Sequence, residues 1–299
     1  MIIFHPLQKE DTRYLVDLFN EQFIQDPITE EILTEKIFLE EYYDSDLNFI
    51  VKNHNMLAGF ASGVIREWKG KTIGWIKLLA TIDQKKMGPI LQETFHKIES
   101  KLLEKGAQTI RIFDSFPNYF TPGIDPHCTS LVSFLQQKGY DRRRDNVTMI
   151  TDLKGQDFET LKKEEWVQKK YNITIRRAVK EDKEKILGLI KNDFPVWEPE
   201  IKIAFQKETN PLHIAVLNDR VIAFSNHSCN NTGKAWFGPM GTTEEARGKG
   251  LGEILLKRCL KDLQQEGHGQ AVIPWVGPIG FYFQKCGAHV SRSEERRVG

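Results

Sequence analysis

Apolar and polar positions along the chain switch between strand spacing and helix spacing, and the whole series of switches occurs twice. Ile2, Ile3 and Phe4 open as a short strand. Glu10, Asp11 and Thr12 then start a helix whose apolar face is Leu15, Leu18 and Phe19. A second helix, charged on one side, is expected over 29–43. Residues 48–52 and 57–66 read as strands turning through His54-Asn55, and 72–82 as a continuous apolar strand of the kind buried on both faces. A helix over 89–103 stops at Gly106, a strand covers 108–113, and a short helix over 131–138 is closed by Gly139.

The order then restarts. Residues 173–176 read as a strand, 181–191 and 200–207 as helices, and 213–217 with 221–225 as paired strands turning through Asn218-Asp219. An apolar strand at 235–237 runs into Gly238, Pro239, Met240, Gly241 and Thr242. After a glycine-rich turn, Leu256, Cys259, Leu260 and Leu263 recur at helical spacing up to Gly267. A strand over 270–275 and a helix over 279–286 complete the series. A repeat of this period is too long for a solenoid and suits two tandem domains, 1–153 and 171–299, joined by a polar linker at 154–170 with Trp166 as an embedded anchor. After Ala288 only a short charged stretch remains, so the last strand of the second copy is read as abbreviated or missing, with an edge left exposed.

Composition narrows the class. The 299 residues are 40% hydrophobic and 28% charged with a net charge of +1, which suits soluble globular domains and leaves no basic surplus for nucleic acid. Arg142-Arg143-Arg144 lies between Asp141 and Asp145 and reads as a solvated turn. No run approaches the roughly 20 apolar residues of a membrane helix, and the start shows no basic leader, so no membrane partner is expected. The four cysteines are scattered and form no Cys-x-x-Cys pair, which favours reduced thiols in a cytoplasm and no metal or disulfide.

The stretch with chemistry is Arg247-Gly248-Lys249-Gly250-Leu251-Gly252, between an apolar strand and a helix. Glycines there let a ligand approach the backbone, the first helical N–H groups point outward with the positive end of the helix dipole, and Arg247 and Lys249 add charge. An anion, most simply a phosphate or pyrophosphate, would be held. A nucleotide P-loop needs Ser or Thr after its lysine, whereas Gly250 follows Lys249; a dinucleotide fingerprint is broken by Gly248, Gly250 and Glu253. An ordinary strand-to-helix turn is the plain alternative.

Arg-x-x-Gly-x-Gly opening a helix after an apolar strand, with Arg247, Gly250 and Gly252 on its fixed positions, resembles the acetyl-CoA motif of the GCN5-related N-acetyltransferases, the GNAT superfamily. The stretches 134–140 and 282–288 both resemble the family's closing signature, an aromatic residue four before a glycine. The resemblance implies two tandem acyl-CoA N-acyltransferase folds of mixed α/β type, each a mostly antiparallel sheet flanked by helices. It also implies acetyl-CoA as cosubstrate on 247–252, no metal, and an acceptor that is a primary amine of a small molecule or peptide. Backbone around Met240 and Thr242 would pair with the pantetheine arm, and Met240 would supply an oxyanion donor, because Pro239 has no N–H. Counting back four from Gly287 gives Phe283, with Tyr282 one residue earlier; either Tyr282 reaches the sulfur as general acid or water protonates the thiolate. For the base, the motif strand has no acid. His227 can relay a proton or be a hydrogen-bonded structural histidine, Glu198 and Glu200 can attract a cationic amine or be surface charges, and Trp275 and Pro278 can line the thioester's entry. Glu244 and Glu245, in the turn before Arg247, are read as supporting the loop or the helix start. In the first copy the motif position is Lys85-Lys86-Met87-Gly88-Pro89-Ile90, so weak or absent cofactor binding and an architectural role are expected there. An aromatic insertion at 116–126 lines a site or covers the sheet. A catalytically silent CoA-binding sensor is the alternative to an enzyme, and an O-acyl or longer-chain transfer would use the same site.

Overall fold

The structure, a computed structural model, describes residues 1–299. The chain divides into two compact units, one formed by 1–146 with 292–299 and the other by 147–291. The elements run β1 (Ile2–Pro6), α1 (Thr12–Gln22), α2 (Glu30–Ile37), β2 (Asn48–Asn53), β3 (Met56–Trp68), β4 (Lys71–Thr81), α3 (Pro89–Glu104), β5 (Thr109–Ile112), α4 (Thr129–Gln137) and β6 (Asp141–Asp152). They continue with α5 (Leu161–Tyr171), β7 (Thr174–Arg177), α6 (Lys183–Asp193), α7 (Glu198–Ala204), β8 (His213–Leu217), β9 (Arg220–His227), β10 (Phe237–Thr242), α8 (Leu251–Gln265), β11 (Gln270–Ile273), α9 (Ile279–Cys286) and β12 (His289–Val298).

In the first unit β1 to β4 form an antiparallel meander, and β5 lies parallel to β4. The apolar run read as a doubly buried strand is β4, with Ile73, Trp75, Ile76, Leu78, Leu79 and Ala80 all buried. Leu15, Leu18 and Phe19 of α1 are buried against this core, as their spacing implied. The helix expected over 29–43 ends at Ile37; Thr29 caps it, accepting from Ile32 N–H at 3.3 Å.

Each unit closes its sheet with chain from the far end of the sequence. In the first, Arg297 and Val298 of β12 pair with Ile112 and Arg111 of β5; in the second, Met149 to Asp152 of β6 pair with β11. The expectation of a missing last strand is therefore corrected: β12 is a full ten-residue strand whose final part belongs to the first unit. Its charges made it look like a solvated tail, yet they pair within the fold. Arg297 is buried, donates to Tyr140 O at 3.0 Å and pairs with Glu295, while Arg296 pairs with Asp114 at 2.7 Å.

In the second unit β7 to β10 form an antiparallel sheet with β10 on its edge. Ala215 and Ala223 pack with Leu251, Ile254 and Leu255 of α8, whereas Ile214 and Phe224 pack with Ile186 and Ile190 of α6 and Ile201 of α7. Strand periodicity thus assigns one face to each helix pair. The stretch read as a linker carries α5, and Val167 is its buried residue; Trp166, one helical step or roughly 100° away, is 50% exposed and packs edge-on against Tyr171.

Candidate active site

The site begins with a bulge in the edge strand. Phe237 stands opposite His227 and Met240 opposite Ser225, so Gly238 and Pro239 together face Asn226 alone, and Gly238 takes a φ of +112° that favours glycine. Beyond the bulge, Thr243 N–H donates to Ile222 O at 3.0 Å. Hydrogen-bonded and non-hydrogen-bonded pairs alternate in an antiparallel ladder, so Met240 and Thr242 hold non-hydrogen-bonded positions and turn their N–H and C=O groups away from β9. They point to the open edge. On that side β11 meets the chain at one bridge, Trp236 to Val272, with Val272 N–H donating to Ala235 O at 2.8 Å before β10 begins.

The turn after β10 ends in a helix start with no side chain on it. Gly248 and Gly250 sit at φ +77° and +78°, and Gly250 is the N-cap of α8. No side chain caps the helix, so the N–H groups of Leu251, Gly252 and Glu253 have no intrahelical acceptor and face outward. Leu251 is buried beside Ile254 and Leu255 and fixes the first turn to the core. A Cβ on Gly252 would stand 3.5 Å from the Phe281 ring, so the glycine leaves space there. Lys249 Nζ donates to Glu245 O, which ties the lysine to its own turn, whereas Arg247 is exposed and free of protein partners. The arrangement is an anion cradle beside a strand edge with unpaired backbone groups.

Tyr282 is buried, its ring 6.0 Å edge-on from Phe237 at the head of β10. Burial pushes its hydroxyl above the usual tyrosine range, with Cys286 adding to the shift. Phe283, the residue at the signature position, is 63% exposed. His227 is held on the α8 face: Nδ1 lies 3.0 Å from Ser228 Oγ and Nε2 3.2 Å from Asp262 Oδ2. Asp262 also meets His213 at 2.6 Å and Arg177 at 2.7 Å. Burial works to raise the Asp262 carboxyl, but hydrogen bonds from His213 and His227 and the charge of Arg177 hold it far below the usual carboxylate range. His227 therefore belongs to a buried ionic cluster under the sheet rather than to the open edge.

On the opposite face, Glu198 pairs with Lys202 at 2.8 Å. Glu200 is 7% exposed, accepts from Asn230 Nδ2 at 3.4 Å, and its backbone carbonyl accepts from Asn226 Nδ2 at 3.4 Å. Asn226 is the residue facing the bulge, so it ties the backbone of α7 to β9 opposite Gly238 and Pro239. Sequence reasoning missed Asn226 and Asn230; the only signal was three asparagines at 226, 230 and 231. Glu244 and Glu245 stay exposed in the turn, Trp275 is partly buried at φ +51°, and Pro278 is exposed at the start of α9. No group of three or more His, Cys, Asp or Glu side chains is placed to hold a metal, and no helix is long and apolar enough to cross a membrane.

The first unit has the same frame with both openings filled. At the start of α3 the Asp83 carboxylate accepts from Ile90 N–H at 2.8 Å and Leu91 N–H at 3.0 Å, where the second unit leaves the equivalent donors open. A Cβ on Gly88 would meet Asp83 Oδ2 at 2.2 Å, so this glycine is needed for the carboxylate's approach. Ser62 pairs with Leu78 and Gly63 with Ile76, which leaves Lys77 as the bulged residue of β4. Its ammonium is buried, donates to Lys36 O at 2.5 Å and pairs with Glu40.

A bulged edge strand followed by a glycine turn and an uncapped helix is the frame of an acyl-CoA N-acyltransferase fold. Residues 165–288 match the sequence model of the acetyltransferase (GNAT) family, and the chain has the fold of two GNAT domains in tandem. One similar solved structure is a fungal multi-domain GH3 β-N-acetylglucosaminidase described as having a GCN5-related glucosamine N-acetyltransferase region, at 17% identity and a TM-score of 0.85. The match covers 100% of this chain and 38% of that one, so this chain spans well under half its length. A GCN5-related N-acetyltransferase from Sphaerobacter thermophilus matches at 16% identity and TM-score 0.71, over 100% of this chain and 95% of that one. A tandem GNAT protein from the clavulanic acid biosynthesis pathway matches at 13% and 0.71, over 100% and 98%. No curated protein sequence matches the chain.

Proposed function

We propose that the protein is an acetyl-CoA-dependent N-acetyltransferase that binds its cofactor in the second unit and acetylates a primary amine of a small molecule or peptide. The observation that carries this is the uncapped start of α8, with Arg247 free beside it, next to an edge strand whose Met240 and Thr242 backbone groups are turned outward. The diphosphate sits on the helix start, and the pantetheine amides pair along β10. The ammonium gives a proton to water, the neutral amine attacks the thioester carbonyl, the C–S bond breaks, the nitrogen sheds a second proton to water as the amide forms, and the thiolate takes a proton. Met240 N–H faces the developing oxyanion. Tyr282 keeps its proton at neutral pH and its hydroxyl has no protein partner, which fits it to protonate the sulfur. Glu200, buried beside Asn230, is the carboxylate that this reading offers to the incoming ammonium. The four cysteines, none in a disulfide, suit a cytoplasmic location.

Calorimetric titration with acetyl-CoA and CoA, followed by thiol release across a panel of amines that includes glucosamine, tests the reading. One site per chain and amine-dependent thiol release are expected; absence of CoA binding would remove it, and binding without turnover would leave a CoA sensor. Tyr282→Phe is expected to lower kcat by about 100-fold, within the range for a positioned general acid, with KM for acetyl-CoA unchanged. His227→Gln should leave the pH profile of kcat in place and reduce thermal stability. Gly88→Ala should cost the first unit about 1–2 kcal/mol, the worth of a displaced helix cap. Its melting temperature falls while the CoA titration keeps its stoichiometry.

A further inference from the structure

Helix α5 has no part in the transfer chemistry, yet it ends at the anion cradle. Ion pairs between the two stretches run in opposite order along the chain, Glu159 with Lys261 at 3.0 Å and Glu164 with Arg258 at 2.7 Å, so the last turn of α5 arrives beside the start of α8. Two lysines meet there on one ring. Lys170 Nζ lies 5.1 Å and Lys249 Nζ 6.0 Å from the centre of the Tyr171 ring. Lys170 also stands 4.6 Å over Trp166, the half-exposed side chain that packs edge-on against Tyr171. Neither ammonium meets a carboxylate: Lys249 donates to the Glu245 carbonyl oxygen, and the Glu245 carboxylate is 3.6 Å from Arg220 instead.

Lysines in the last turn of a helix are favoured by its dipole, so the position of Lys170 alone indicates nothing. What points to a ligand is that two ammoniums share one ring with no acid to separate them, a repulsion that an anion relieves. A diphosphate alone does not require both. The open N–H groups of α8 and the exposed Arg247 already face it, and Lys170 and Lys249 add two further charges beside them. Coenzyme A carries one more anionic group, the phosphomonoester on its ribose 3′ oxygen, with a charge of about −1.5 to −2 at neutral pH. Resting on the reading of the second unit as the acetyl-CoA site, we propose that Lys170 and Lys249 bind this 3′-phosphate, with Trp166 and Tyr171 holding Lys170 in place. Helix α5 thereby selects coenzyme A over its 3′-dephosphorylated form.

Calorimetric titration of the full chain with acetyl-CoA and with 3′-dephospho-acetyl-CoA tests this. The wild type should bind the first about tenfold more tightly, the worth of a hydrogen bond between charged groups. Lys170→Gln should cut that preference to about twofold by weakening acetyl-CoA alone, with the dephospho form bound as in the wild type. Lys169→Gln removes a neighbouring exposed charge that touches neither ring, and it should keep the wild-type preference. Both lysines are exposed, so thermal melts should show both variants folded. Equal affinity of the wild type for the two ligands, equal weakening of both by Lys170→Gln, or the same loss of preference in Lys169→Gln would each overturn the proposal while leaving the acetyl-CoA site in place. Binding of neither ligand would remove that site, and this one with it.

Discussion

Replacing Gly250 by valine is expected to reduce acetyl-CoA affinity by about 100-fold or more, equivalent to roughly 2.7 kcal/mol, while lowering the melting temperature by only a few degrees. The two effects separate because of where the glycine sits. Its φ of +78° is a conformation that costs an L-residue about 1–2 kcal/mol, yet a Cβ there would meet nothing within 4 Å, so no packing is lost. On the binding side the side chain would stand at the helix start, over the outward N–H groups on which the proposed diphosphate rests. Arg247→Ala should weaken binding through charge alone. Because the guanidinium is exposed and unpartnered, that loss should shrink as salt is raised. Calorimetric titration at two ionic strengths, with thermal melts alongside, checks both. A Gly250→Val protein that binds acetyl-CoA as tightly as wild type would place the cofactor elsewhere.

What could be read from the sequence was whatever a local period or a single special residue encodes. The buried strand β4, the α1 face of Leu15, Leu18 and Phe19, and the glycine turn before α8 all follow from spacing and backbone freedom, and each is found where spacing put it. What remained hidden depends on pairing between distant residues. Arg296 and Arg297 look solvated in sequence because their partners, Asp114 and Tyr140, are more than a hundred positions away. The same holds for His227, whose environment is set by Asp262 on another element, and for Glu200, whose backbone carbonyl meets Asn226 of β9 only in the fold. Asp83 is the sharpest case. It is an ordinary acid in a polar turn until the chain folds it back onto the start of α3, where it takes the place an external anion would occupy.

The first unit's second filled opening gives the largest expected effect on stability. Glu40→Gln should destabilise that unit by about 3–5 kcal/mol, the usual consequence of removing one partner from a buried ionic cluster, or on the order of 10 °C in melting temperature. Glu40 binds Arg66 at 2.7 Å and also pairs with Lys77, all three being buried. Burial works to raise its carboxyl, but the charges of Lys77 and Arg66 prevail and hold it down to about 2. A depressed acid contributes stability that is complete above its unfolded value, near 4.5, and is lost as pH falls from there through about 2. The gap between wild type and Glu40→Gln should therefore be widest above pH 4.5 and close towards pH 2. Adding Lys77→Met should recover much of the loss, because an apolar side chain removes the stranded ammonium, while Arg66 keeps the Phe116 carbonyl at 2.7 Å and its place 5.3 Å over the Trp75 ring. Denaturation midpoints of the two variants between pH 2 and 7 measure all of this. Below the melting transition the double variant should keep the transfer kinetics of the wild type, because on the proposed reading the first unit supports the second without handling its cofactor. Altered kcat in a fully folded double variant would show that Glu40 and Lys77 take part in transfer.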